Sequence, residues 1–273
     1  MKKLLTLSLA TLVLISACKK KSDDETAPPN GGGGGGGTTA IPVVQKQMAL
    51  MNKLTATWCG PCGQWGWTLN EDIITAGAGK AVFMGTYGSS SSLFYNPAAA
   101  AFKNQFDASA GWPAFCLNGR NRTAYSASGG IYTSTTKTNV IAAIDSTFAT
   151  TAKVNAGFKM AYGTDSIRVS TRTKFFAEMT GDFYLGIYLI ENGALGVQTG
   201  LSGTVSHHYV LQGSFSQPFG TQIATGTSAA NKEILTNFAL KTNASWDKTK
   251  LKIAAVIWKK NGSTYEYVNA YTE

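Results

Sequence analysis

Thr57-Trp58-Cys59-Gly60-Pro61-Cys62 is the stretch that decides the fold. Two cysteines two residues apart, with Trp58 before them and Gly60-Pro61 between, form a dithiol that can close into a small ring. That spacing suits exchange of an electron pair with another disulfide. The flanking pattern places the motif. Val43 to Thr55 reads as one or two strands leading in, and Lys80 to Tyr87 as another apolar strand. Between them Trp65, Leu69 and Ile73 recur at helical spacing behind Cys62, which puts the cysteines at a helix N-terminus.

Further along, Asn96-Pro97 reads as an N-cap with proline at the first helical position, followed by a helix from Ala98 to Phe106 with Phe102 and Phe106 on one face. Ala114 to Leu117 is a short strand, Asn118-Gly119 a hairpin turn and Asn121 to Tyr125 its partner. Ile141, Ile144 and Phe148 mark a last helix. The order is strand, helix, strand, helix, hairpin, helix. That order, with Trp58-Cys59-Gly60-Pro61-Cys62 at the first helix and Trp112-Pro113 entering the hairpin, resembles the thioredoxin fold. The resemblance implies Cys59 as exposed nucleophile, Cys62 as buried resolving thiol and Pro113 as a cis-proline beside the dithiol. Backbone at Trp112 would then pair with an extended substrate. Unpaired N–H groups and the helix dipole would hold a thiolate at Cys59, whose attack gives a mixed disulfide that Cys62 resolves.

One position departs from that family. Thioredoxins carry an acidic residue six positions before the first cysteine, where it helps deprotonate the second; here the position is Lys53. An ammonium there would stabilise thiolates but would not act as that base at neutral pH. The alternative is a lysine that snorkels outward.

After Thr151 the pattern changes to period two. Val154, Ala156, Phe158, Met160 and Tyr162 alternate with polar residues, and Ile167-Val169, Phe183-Leu185-Ile187-Leu189, Leu251-Ile253-Ala255-Ile257 and Tyr265-Tyr267 continue the alternation. Asn261-Gly262 reads as a turn between the last two strands. About seven strands of this kind suggest an antiparallel, Ig-like β-sandwich. The stretches Phe183 to Gly193, Ser206 to Gly213 and Phe94 to Ala100 resemble the Omp28-type outer-membrane lipoproteins. That family joins a thioredoxin-like part to a C-terminal β domain. The expected fold is therefore α/β plus all-β, with a thioredoxin-like domain over 42–151 and a β-sandwich over 152–273.

The N-terminus bears on location. Lys2 and Lys3 precede a short apolar run from Leu4 to Ile15, the pattern of a secretory signal over 1–17. Ile15-Ser16-Ala17-Cys18 resembles a bacterial lipobox, which implies cleavage before Cys18 and its acylation as a membrane tether. Lys19 to Glu25 is a solvated charge run that also resembles the export tags of Bacteroidota surface lipoproteins. Together these point to the outer membrane, with the leaflet open. Pro28-Pro29-Asn30 and Gly31 to Gly37 cannot bury a core, so 18–41 reads as a flexible spacer. A chain of that length spans roughly 25 Å.

The formal net charge is +9, and the basic residues are scattered without interleaved aromatics, so no nucleic-acid surface is read. No cofactor is called for. His207 and His208 are neighbours on a strand, point to opposite faces and cannot easily chelate together, so no metal is expected. Cys116 follows Pro113 on a buried strand and reads as an inert thiol, with a redox partner for the dithiol as the other reading. Trp65 and Trp67 read as core and rim aromatics, and Ser89 to Ser92 as a polar loop without the His or acid of a hydrolase. Two functions are carried forward. One is a membrane-tethered thiol–disulfide oxidoreductase acting on exported proteins with cysteines. The other is a surface binding or adhesion lipoprotein whose cysteine pair is a structural disulfide. The sequence does not give an oligomeric state.

Overall fold

The structure is a computed structural model that describes residues 41–106, 111–128 and 130–273. The signal, Cys18 and the glycine run lie outside the described residues. The first half runs β1 (Ala49–Thr55), α1 (Gly60–Gly63), α2 (Trp65–Ala76), β2 (Ala81–Tyr87), α3 (Pro97–Phe106), β3 (Ala114–Leu117), β4 (Arg120–Asn121) and α4 (Thr133–Phe148). β1 pairs β2 in parallel and β3 antiparallel, which puts it inside the sheet. Local chemistry sets several boundaries. The Asn96 side chain accepts the Ala99 N–H at 3.0 Å, the expected cap for α3. Asn118 and Gly119 both take positive φ, 51° and 78°, as a two-residue hairpin requires.

Three expected elements shift. Only Ala49 to Thr55 of the expected Val43 to Thr55 is a strand. The hairpin's second strand is two residues, Arg120–Asn121, because Phe115 N–H turns to the Thr123 hydroxyl at 2.8 Å. The buried face of α4 is Thr136, Val140 and Ile144, and Phe148 stays 38% exposed.

The second half contributes β5 (Val154–Tyr162), β6 (Ser166–Phe175), β7 (Met179–Thr180), β8 (Asp182–Glu191), β9 (Ala194–Val197), β10 (Thr204–His207), β11 (Val210–Ser214), β12 (Thr221–Ala224), β13 (Thr227–Ser228), β14 (Glu233–Lys241), β15 (Leu251–Asn261) and β16 (Thr264–Thr272). The fold is mixed α/β with strands predominating. The two halves share one sheet, in the order β16-β15-β8-β11-β2-β1-β3-β4. The join is β11 against β2, in parallel. There Gly85 N–H donates to Tyr209 O at 2.7 Å, and a Cβ at Gly85 would meet His208 O at 2.9 Å. A side chain at 85 would push the second half away from the first. The pattern change near Thr151 is therefore not a gap between packing units, and Ala40–Glu273 clusters as one unit.

Three cores follow. On one face of the long sheet, Leu50, Val82 and Phe102 pack with Tyr188, Ile190 and Trp258 from the second half. On the other face, Met51 and Phe115 meet Leu69 and Ile73 of α2 and Val140 and Ile144 of α4. Farther along that face, the three-stranded sheet β14-β6-β5 packs on β8 and β15 through Val154, Val169, Phe175, Leu185, Ile187 and Ile253. The expected sandwich thus has one layer of its own and borrows the other from the long sheet. The middles of β8 and β15 lie inside that sheet, buried on both faces, so Tyr188, Ile190, Ala254, Val256 and Trp258 at even-numbered positions are apolar as well.

Candidate functional site

Cys59 and Cys62 are joined by a disulfide. They sit on a helical turn of their own rather than at the start of the long helix. Cys59 is the N-cap of α1, and its Sγ accepts the Cys62 N–H at 3.3 Å. Gln64 then breaks the axis with ψ −107°, and α2 begins at Trp65. The dipole expected at Cys59 is therefore that of a single turn.

The break coincides with a strap from the second half. After β9 the chain crosses the motif at Gln198 to Leu201. Gln198 Nε2 donates toward Cys59 O at 2.9 Å and Ala56 O at 3.2 Å, and Thr199 N–H donates to Thr57 O at 2.8 Å. A Cβ on Gly63 would lie 2.2 Å from Thr199 O, so only glycine admits the strap. Cys59, expected to be exposed, keeps 5% exposure against none for Cys62. The strap and the tryptophans around it close most of its surface.

The open side is a cleft of about 570 Å³ lined by Trp58, Cys59, Pro61, Ser89, Lys103 and Trp112. Trp58 is 51% exposed, and its ring centroid lies 5.6 Å from that of Trp112. Lys103 Nζ lies 5.5 Å from the Trp112 ring centroid. The Trp112–Pro113 bond is cis, and Pro113 is buried against Gly66 of α2. Trp58, Gly60, Pro61 and Trp112 thus line the cleft with Cys59, and Pro113 lies against α2. The serine loop does structural work: Ser92 Oγ accepts the Thr57 N–H at 3.1 Å, and Trp58 Nε1 donates to Ser89 Oγ at 3.3 Å.

Beneath the disulfide lies Lys53, 6% exposed, so it does not snorkel. Its Nζ donates to Cys62 O at 3.3 Å and lies 5.5 Å from the Trp67 ring centroid. Burial pushes its pKa down to about 7, against the opposing charge of Glu71. Trp67 also meets the histidines. His207 is buried, its Nδ1 is 2.6 Å from Tyr87 Oη, and burial pushes its pKa down to about 4. His208 Nε2 lies 3.2 Å from Glu71 Oε1, which also accepts the Trp67 N–H at 3.0 Å. Among the described residues no three His, Cys, Asp or Glu side chains gather as a metal would need. Cys116 is buried with Ala114 in the core on the sheet face opposite Phe115, away from α2.

No family model and no curated protein matches the chain. Among solved structures it is similar to HBP35 of Porphyromonas gingivalis, at 16% identity and a TM-score of 0.63, over 84% of this chain and 76% of that one. This is a likeness of fold. A domain of the outer membrane lipoprotein Omp28 from the same organism matches 44% of this chain and 86% of its own, at 17% identity and a TM-score of 0.31. Spo0M, a sporulation control protein from Bacillus subtilis, matches 44% of this chain and 46% of its own, at 17% identity and a TM-score of 0.26.

Sequence reasoning missed Gln198, Thr199 and Glu71, which meet the site only through the fold. The one trace in the sequence is Gly63, a poor helix residue directly behind the second cysteine. No helix among the described residues is long and apolar enough to cross a membrane.

Proposed function

We propose that this chain is an Omp28-type lipoprotein, anchored in the outer membrane through Cys18, whose thioredoxin-like site exchanges thiols and disulfides on exported proteins. The observation that carries this reading is the Cys59–Cys62 disulfide opening onto the Trp58–Trp112 cleft, with Pro113 packed on the helix that follows it. The parallel pair β1 and β2, antiparallel β3 and the flanking helices support reading the motif as a thioredoxin-like site. An extended peptide has room in the cleft, and Cys59 is the sulfur that lines it. The test is turnover. Purified protein should reduce, oxidise or isomerise a protein disulfide, and Cys59→Ser should abolish this; no activity in any direction refutes the reading.

The strap favours a second reading, a surface binding lipoprotein with a structural disulfide. A cysteine with 5% exposure under a hydrogen-bonded strap is well placed for a permanent bond. Two measurements separate the readings. The reduction potential of the pair, with thiol trapping in cells, tells whether it cycles. Proteolysis of intact cells tells which side of the membrane it faces: protection favours turnover, where an electron donor can reach the pair, and cleavage favours binding.

A further inference from the structure

The cleft in front of Cys59 holds a positive charge with no counter-ion among the described residues. Lys103 is the charged side chain of its lining; Trp58, Cys59, Pro61, Ser89 and Trp112 supply sulfur, hydroxyl and ring faces. Among the described residues Lys103 forms no ion pair. We infer that Lys103 selects substrates that carry a carboxylate beside the reacting sulfur. The inference rests on the thiol–disulfide reading above and names the substrate class of that site.

The fold holds this lysine in place rather than leaving it to sweep the surface. It lies in the last turn of α3, and its stem passes over Gly88, the residue after β2. A Cβ at Gly88 would lie 2.6 Å from Lys103 Cβ and 3.2 Å from its Cδ, so bare backbone makes room for the stem. At the far end Nζ lies 5.5 Å from the Trp112 ring centroid, and that ring lies 5.6 Å from Trp58. The electron-rich face of an indole attracts an ammonium. Contact at both ends of the side chain keeps its charge at the Trp112 wall of the cleft.

A cleft with apolar walls and one sign of charge concentrates its field on whatever enters. Trp58 and Trp112 are those walls. A carboxylate that reaches Nζ gains a charge-assisted hydrogen bond. No acidic side chain of the lining competes for the same contact. Glu71 is engaged elsewhere, with His208 and the Trp67 indole. An ammonium or guanidinium entering the cleft meets a like charge instead. The cleft thus discriminates by sign, while its rings accept the apolar part of any neighbouring side chain.

The selection acts where a substrate sulfur meets Cys59. A substrate thiolate attacks Cys59 Sγ while its neighbouring carboxylate rests on Lys103. The bond from the substrate sulfur to Cys59 forms, the Cys59–Cys62 bond breaks, and Cys62 leaves with the electron pair and takes up a proton. A second substrate thiolate then attacks the sulfur held on Cys59. The substrate disulfide forms, and Cys59 leaves with the electron pair of the broken bond. The substrate pair has lost two electrons and the dithiol has gained two. The reverse direction passes through the same mixed disulfide, so Lys103 holds the carboxylate in both. Its ammonium is unchanged throughout.

The test mixes oxidised full-length protein with reduced glutathione, which is anionic, with neutral 2-mercaptoethanol and with cationic cysteamine, and resolves quenched samples by mass. The glutathione rate relative to the 2-mercaptoethanol rate should fall about threefold in Lys103→Gln and about tenfold in Lys103→Glu. The cysteamine ratio should rise by similar factors, and about 0.5 M salt should remove most of both differences. Ratios cancel the reactivity of each thiol and any general change in access to Cys59, so a merely structural role for Lys103 would leave them unmoved. Cysteinyl peptides with Glu, Gln or Lys beside the cysteine form a second arm. A preference for Glu that disappears in Lys103→Gln identifies protein segments as the source of the carboxylate, and a preference confined to glutathione identifies small acidic thiols; both support the inference. Ratios unmoved in both arms overturn it. If no thiol or peptide reacts at Cys59 even in the wild type, the redox reading itself fails, and the selection falls with it.

Discussion

The two faces of β1 are seven residues of one strand sorted into two environments. Leu50 and Leu54 point into a dry aromatic core with Phe102 and Trp258, and across the β1–β3 pair Cys116 opposite Asn52 joins them. Met51 and Lys53 point the other way, toward α2 and the dithiol. A cysteine on the first face is packing. A cysteine above the second face lies next to a buried amine and under a strap. The alternation of the strand thus decides which sulfur has chemistry within reach. The Gly-Pro spacing sets up a ring, and the face supplies a buried amine and a wall.

The comparison can be broken from the dry side first. Trp258 is fully buried, and its indole donates to Tyr188 Oη at 2.9 Å. Trp258→Ala should cost about 3–5 kcal/mol in denaturant unfolding while leaving the reduction potential of Cys59–Cys62 unchanged. A large shift in potential would mean that the faces are coupled. The next effect comes from Lys53. Its folded-state pKa, about 7, lies below the ordinary value of 10.5, so between these the unfolded chain holds the extra proton. Stability should therefore rise from pH 7 to pH 10, by roughly 3 kcal/mol from this group, and fall as pH drops. In Lys53→Met that slope should vanish from urea titrations run across the same range.

A smaller effect is expected at the strap. Gln198→Ala removes the donor to Cys59 O and Ala56 O and should cost about 1–2 kcal/mol. Reduction of the disulfide by a small thiol should quicken as Cys59 opens; an unchanged rate would show that the strap does not limit access. The smallest effect belongs to Cys116. Cys116→Ala should lower stability by about 1 kcal/mol and leave the potential of the pair where it was. A shifted potential would place Cys116 in the redox system after all.

What the sequence revealed was local. The Asn96 cap, the Asn118-Gly119 turn, the Leu69 and Ile73 face of α2 and the alternation of β6 are set by neighbours in the chain, and each is found in the structure. What it concealed depends on residues far apart. Nothing near Val210 says that β11 will lie beside β2, and nothing near Gln198 says that its amide will end on Cys59. The kink at Gln64 was hidden for the same reason: the apolar spacing of α2 runs smoothly back toward Cys62, and the interruption coincides with a loop from elsewhere. The burial of Lys53 is likewise a property of the assembled core rather than of residue type.

The shared sheet also sets a timetable. Gln198 follows Cys59 by 139 residues, and β11 follows the strap. A nascent or translocating chain therefore presents both cysteines long before the segment that walls them in has emerged. During that interval the outer edge of β2 has no neighbour, and the pair is as open to passing thiols and oxidants as any in an unfolded chain. The enclosure of the site is thus among the last events in the life of the young protein, and a chain cut short after α4 would carry the motif without its wall.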